Sequence, residues 1–149
     1  MKKYLIIFSL ILFRSICLSQ PIGNNDKNFN LKDCSNILKT DTIFRNPEVS
    51  ASFPGGEKEW QKFLKKHLDM SIGADNDAPE GIHKITVRFI VNRDGDICSV
   101  RAETKFGYGI EEEVIRVIKK SKYWNPGLIN GAPVISYKRL TVTYDLVIL

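Results

Sequence analysis

The elements legible in the chain follow the order helix, strand, strand, helix, strand, which predicts an α+β domain rather than an alternating α/β one. Three observations carry this. The stretch from Val134 to Ile148 is rich in β-branched and aromatic residues and free of Gly and Pro. From Leu140 onward it sets Leu140, Val142, Tyr144, Leu146 and Ile148 against Thr141, Thr143 and Asp145. The stretch from Ile85 to Val91 alternates in the same way, with Ile85, Val87, Phe89 and Val91 on one side. Two apolar stripes at helical spacing flank this pair: Trp60, Phe63, Leu64 and Leu68, then Ile110, Val114, Ile115, Val117 and Ile118.

The first helix opens after Phe53-Pro54-Gly55-Gly56, where Pro fixes φ and the Gly pair permits a sharp change of direction. Lys58, Lys62, Lys65 and Lys66 fall mainly on its solvent side. Residues 69 to 82 carry Gly73, Asp75, Asn76, Asp77, Pro79 and Gly81 and read as a loop. After the first strand, Asn92-Arg93-Asp94-Gly95-Asp96 is a hairpin connection in which Gly95 supplies positive φ. The return strand runs from Ile97 to Thr104, and its change of apolar parity before Val100 predicts a β-bulge.

The second helix is expected over Ile110 to Lys122. Glu111, Glu112 and Glu113 open it and Lys119, Lys120 and Lys122 close it, in keeping with the helix dipole. Tyr123-Trp124-Asn125-Pro126-Gly127 ends it, the aromatics continuing the buried stripe, and Asn130-Gly131-Ala132-Pro133 turns the chain into the last strand. A hairpin followed by a returning helix makes the last strand antiparallel to the first. The predicted fold is therefore a three-stranded antiparallel sheet in the order second–first–last, with two helices packed on one face and Val134–Ile148 at an edge.

The chain has 149 residues, 43% hydrophobic and 26% charged, which fits one globular domain. Lys2-Lys3, the apolar run from Tyr4 to Phe13 and Cys17-Leu18-Ser19 form a signal-peptide pattern over residues 1–19, with cleavage before Gln20. An uncleaved membrane anchor is the alternative, but a span needs roughly 20 apolar residues and Arg14 stops this run early. Removing Lys2, Lys3 and Arg14 from the 22 basic residues leaves 19 against 17 acidic, about +2, too balanced to argue for nucleic acid. Residues 20–46 read as a flexible polar arm, of which Ile37, Leu38, Ile43 and Phe44 are expected to dock a part; residues 47–149 form the domain.

Two cysteines follow the cleavage point, Cys34 and Cys98. A disulfide between them and a buried free thiol at Cys98 are equally open readings. Asn92, Asp94, Asp96 and Glu103 partly match a calcium loop, but Ile97 stands where Gly is needed, so a solvated hairpin is the better reading. His67 and His83 have no nucleophile at a motif spacing, and the adjacent Glu111, Glu112 and Glu113 point different ways around a helix. No metal, cofactor or enzymatic chemistry is expected. The chain reads as a binding module.

The motifs taken in order resemble the TonB C-terminal domain family. Pro47-Glu48 with Phe53-Pro54-Gly55-Gly56 and Phe63-Leu64 resembles its start. Val87-Arg88-Phe89-Ile90-Val91-Asn92 with Asp94-Gly95-Asp96-Ile97, then Glu113-Val114-Ile115 and Trp124-Asn125-Pro126-Gly127, resembles its middle. Asn130-Gly131-Ala132-Pro133-Val134 and the closing strand complete it, over about residues 47 to 147. The resemblance implies the same fold, with Phe53, Pro54, Gly55, Gly56, Asp94, Gly95, Trp124, Pro126 and Gly127 as structural residues. It also implies that the last strand pairs with a short segment of an outer-membrane TonB-dependent receptor, or of another periplasmic protein, by strand addition. The pairing surface would be the backbone of Tyr137, Lys138, Arg139, Leu140, Thr141, Val142, Thr143 and Tyr144.

An energy transducer of that family also has a membrane anchor and a long Pro-rich linker, and this chain has neither pattern in clear form. The expectation is a periplasmic protein-binding module associated with TonB-linked transport. A short transducer anchored in the inner membrane and a homodimer paired through the same edge are its alternatives.

Overall fold

The computed structural model describes residues 41–147. They form helices α1 (Gly56–His67), α2 (Ser71–Asp75) and α3 (Ile110–Lys120), and strands β1 (Gly81–Val91), β2 (Ile97–Ala102), β3 (Gly127–Ile129), β4 (Ala132–Val134) and β5 (Ser136–Leu146). The main sheet has the order β2-β1-β5 and is antiparallel throughout, as the connections predict. β1 and β5 stay in register from Gly81 opposite Leu146 to Val91 opposite Ser136. The expected bulge is present in β2, where the pairing with β1 slips between Arg88 and Ile90 and Ser99 takes φ 50°.

Alternation along the strands buries one continuous core on the helix side. Ile85, Val87, Phe89 and Val91 of β1 and Val142, Tyr144 and Leu146 of β5 meet Trp60 and Leu64 of α1 and Ile110, Val114, Val117 and Ile118 of α3. Both long helices thus cover the same face. Trp124 sits at one end of this core, its ring centroid 5.0 Å from Phe89, 5.5 Å from Trp60 and 5.7 Å from Phe53.

Two of the expected structural glycines lie where the chain packs closely. The C=O of Gly95 accepts the Trp124 N–H, and a Cβ at Gly95 would stand 2.1 Å from the Trp124 carbonyl oxygen. One at Gly127 would stand 2.7 Å from Ser136 Oγ and 2.9 Å from Pro47 Cγ. At the start of α1, Gly55 takes φ 80° as its N-cap and the Gly56 N–H donates to the Phe53 carbonyl, the turn expected of Phe53-Pro54-Gly55-Gly56.

Several expected boundaries move. Residues 69 to 82 are not all loop, because Ser71–Asp75 is helical and β1 begins at Gly81 rather than Ile85. Gly73 is the reason for α2: lacking a side chain, it lets the turn settle against Ile110, Tyr144 and Leu146. The last strand is not continuous from Val134. Asn130 and Gly131, at φ 50° and 73°, close a small β3–β4 hairpin that ends at Val134, and β5 starts after Ile135. α3 stops at Lys120, where Ser121 turns both its N–H and its hydroxyl to the Ile118 carbonyl. Tyr123 does not continue the buried stripe; it has φ 64° and is exposed, and Trp124 alone enters the core.

Glu111 and Glu113 stand in the first turn of α3, as the dipole reading expects, but they are buried and their carboxylates also cap backbone groups. The Glu111 carboxylate accepts the N–H groups of Phe106 and Gly107. That of Glu113 accepts the Asp69 N–H and two bonds from Arg116, whose guanidinium also reaches the His67 carbonyl. Burial acting alone would raise the Glu113 pKa, but the bonds from Arg116 and the Asp69 N–H outweigh it and hold the carboxyl below its ordinary value.

The far face of the sheet is also partly covered. Ile90, Cys98 and Ile135 form a second buried cluster with Ile43 and Tyr137 against it. Phe44 docks as expected: its N–H donates to the Ile135 carbonyl, and its carbonyl accepts the Tyr137 N–H, both at 2.9 Å. Cys98 is disulfide-bonded, so its reading as a free thiol is set aside; its partner lies outside the described residues, as do Cys34, Ile37, Leu38, Ile148 and the signal-peptide pattern. Among the described residues, no helix is long and apolar enough to cross a membrane.

Two substitutions separate backbone conformation from packing. Gly95→Ala is expected to cost more than about 3 kcal/mol, since it adds a backbone collision to a positive φ. Gly107→Ala, at φ 90° with open space around it, should cost only about 1–2 kcal/mol. Urea unfolding midpoints of the two variants check this ordering.

The Glu113 cap predicts a pH signature. Because the folded pKa is depressed, its contribution is complete above the ordinary value of 4.5 and disappears as pH falls through the folded value. Glu113→Gln should therefore destabilise the protein by about 1–3 kcal/mol at pH 7, with the gap to the parent narrowing below pH 4.5. Parallel unfolding curves between pH 7 and pH 3 measure it.

Candidate functional site

Strand geometry fixes which backbone groups of β5 are committed. Along a strand, the N–H and C=O groups of successive residues project to opposite sides. The C=O of Ile135 and the N–H of Tyr137 point to Phe44 and hence away from β1. The odd-numbered residues of β5 therefore face outward, while Leu140, Val142, Tyr144 and their even-numbered neighbours bond to β1. The other side of β1 agrees, since Thr86, one residue out of step with Ile85 and Val87, gives its carbonyl to Glu103 N–H on the β2 side. The outward groups of β5 beyond Tyr137 are thus those of Arg139, Thr141, Thr143 and Asp145. Among the described residues, no hydrogen bond engages these N–H and C=O groups.

This edge differs from the opposite one. β2 is six residues long and broken by its bulge, the usual means of blunting an edge. β5 is eleven residues long, regular, and without Pro or Gly. Among the described residues, Phe44 bonds to the outer backbone at the start of β5, and Ser50 contacts Lys138 nearby.

Beside the free edge lies a groove of about 510 Å³. Its strand wall is formed by Thr141 and Thr143, two of the residues whose backbone groups point outward. Leu64, Leu68 and Met70 supply apolar surface, and Gln61, Lys62 and Lys65 of α1 supply the polar side. Met70 is 40% exposed, so this surface is open to solvent. The segment after α1 is held in place by β5 itself. Tyr144 donates its hydroxyl hydrogen to the Asp69 carbonyl and accepts the Gly73 N–H, and Glu113 accepts the Asp69 N–H. Burial pushes the Tyr144 phenol above its ordinary pKa, so it remains a donor at neutral pH.

The eight expected pairing residues are thereby divided. Arg139, Thr141 and Thr143 present free backbone to the edge. Leu140, Val142 and Tyr144 present theirs to β1 and their side chains to the helix side, where Val142 and Tyr144 are fully buried. Tyr137 has its N–H taken by Phe44. Lys138 donates to Ser50 Oγ, and burial lowers its pKa, opposed by the charge of Glu57. Asp145, outside the expected range, extends the free edge.

On the outer sheet face, Arg139 pairs with Glu103, which also lies 3.4 Å from Arg88 Nε, and the Arg88 guanidinium sits 5.1 Å above the Tyr137 ring. The Thr86 and Thr141 hydroxyls are 3.1 Å apart. The outer face beside the edge is therefore polar and internally paired.

The sequence reading missed Gln61, Lys62, Lys65, Leu68 and Met70 as neighbours of the edge. Lys62 and Lys65 stood out only as solvent-side lysines, and no pattern announces that Met70 turns toward β5. Among the described residues, no group of three or more His, Cys, Asp or Glu side chains is arranged to hold a metal ion. Comparison with protein-family models, with curated proteins and with solved structures finds no match to this chain.

Proposed function

We propose that this protein is a binding module that accepts an extended segment of another protein as an additional strand on the outer edge of β5. One observation carries the reading: the outward backbone groups of Arg139, Thr141, Thr143 and Asp145 have no partner among the described residues, and Thr141 and Thr143 line a groove beside the edge. Main-chain bonds from such an edge supply affinity, and the flanking groove supplies selectivity for side chains. The resemblance to TonB C-terminal domains suggests the class of partner, a periplasmic segment of an outer-membrane TonB-dependent receptor or a related protein. On this reading residues 1–19 export the chain to the periplasm, and it assists TonB-linked transport without being the anchored transducer.

Self-pairing is the second reading, favoured by the same regular, uncapped edge. It predicts a dimer whose population rises with concentration in sedimentation, whereas the binding module remains a monomer until the partner segment is added.

Proline distinguishes edge use from fold integrity. Thr141→Pro removes an outward N–H and no ladder bond, so the variant should fold with a stability loss of about 1–2 kcal/mol at most. Val142→Pro removes an N–H committed to β1 and should unfold. In a pull-down from outer-membrane extract, the parent chain should retain a partner that folded Thr141→Pro retains at least tenfold less. Equal retention by folded Thr141→Pro would sink strand addition.

A further inference from the structure

The groove beside the edge also carries information about the segment it receives. A strand laid against β5 turns every second side chain toward the helix layer. Those side chains meet Leu64, Leu68 and Met70, with Lys62 and Lys65 at the rim one helical turn apart on α1. Lys62 contacts Glu59 at 2.6 Å in a solvent-exposed pair of little strength, and Lys65 has no ion-pair partner among the described residues. Among the described residues, no carboxylate lines this groove. Its apolar surface can take one aliphatic side chain, and its cationic rim lies within reach of a residue two positions along on the same face of the added strand.

We infer that the groove selects an extended protein segment whose helix-facing side chains are one aliphatic residue flanked, two positions away, by Asp or Glu. The aliphatic side chain covers Leu64, Leu68 and Met70, and the carboxylate is held by Lys62 and Lys65. This inference rests on the strand-accepting reading of β5 and adds a charge rule to it. A basic segment is rejected, because its cations would face both lysines with no acid in the groove to receive them.

The test uses the full chain and three terminally blocked peptides. The first is Thr-Glu-Thr-Val-Thr-Glu-Thr, and the others replace both Glu by Gln or by Lys. Titration by amide chemical shift should give a dissociation constant at least tenfold lower for the Glu peptide than for the Gln peptide, with no binding of the Lys peptide. The Glu advantage should shrink severalfold between low and high salt. Lys62→Glu/Lys65→Glu, two exposed positions, should reverse the order and favour the Lys peptide.

Equal affinity for all three peptides, abolished by Thr141→Pro, overturns the charge rule and leaves strand addition standing. Equal affinity that survives folded Thr141→Pro overturns both. Concentration-dependent dimers that exclude every peptide likewise overturn both in favour of self-pairing, and absence of binding by a monomer at millimolar peptide overturns the acceptor reading and the charge rule with it.

Discussion

The ladder between Gly81–Val91 and Ser136–Leu146 is the constraint on which the rest of the structure depends. Its unbroken register makes β1 the central strand and commits half of the backbone groups of β5. The same register sends Val142, Tyr144 and Leu146 into the core and leaves Thr141, Thr143 and Asp145 on the polar face. A slip of one residue would reverse both assignments, burying threonines and exposing Tyr144. Core formation and the orientation of the free edge are thus one event.

Tyr144 links that event to the groove. Its ring is buried under α2, and its hydroxyl fixes the chain at Asp69 and Gly73. Glu113 and Arg116 fix the same segment from α3, through the Asp69 N–H and the His67 carbonyl. The groove wall formed by Leu68 and Met70 is therefore positioned from both sides by hydrogen bonds. At the other end of the sheet, the arm reaches Ile135 and Tyr137 through Phe44, which shortens the usable edge to residues beyond Lys138. A preorganised edge of this kind avoids part of the ordering cost that binding otherwise carries.

The sheet order, the inner-face residues of β1 and β5 and the bulge of β2 were legible in the sequence because period-2 alternation and turn chemistry are local signals. Gly95 and Gly127 could be read as turn residues, but their close approach to Trp124 and Ser136 is tertiary. α2 was illegible because five residues around Gly73 have no stripe of their own, and their helix depends on Tyr144. Glu111 and Glu113 resembled surface charge because each accepts backbone N–H groups from the preceding segments, of Phe106 and Gly107 and of Asp69, which no side-chain pattern reveals. The edge itself followed from connection order. Which half of its residues faces outward required the Phe44 contacts, and the groove required the fold of residues 68 to 70.

Amide hydrogen exchange along β5 tests the central claim most directly, because parity makes opposite demands on adjacent residues. In the free protein, the N–H groups of Arg139, Thr141, Thr143 and Asp145 should exchange rapidly while those of Leu140, Val142 and Tyr144 remain protected. Adding a bound segment should slow Thr141 and Thr143 and leave the even-numbered residues unchanged. Protection of the odd-numbered amides in the free monomer, or a bound segment that leaves them fast, would contradict the account.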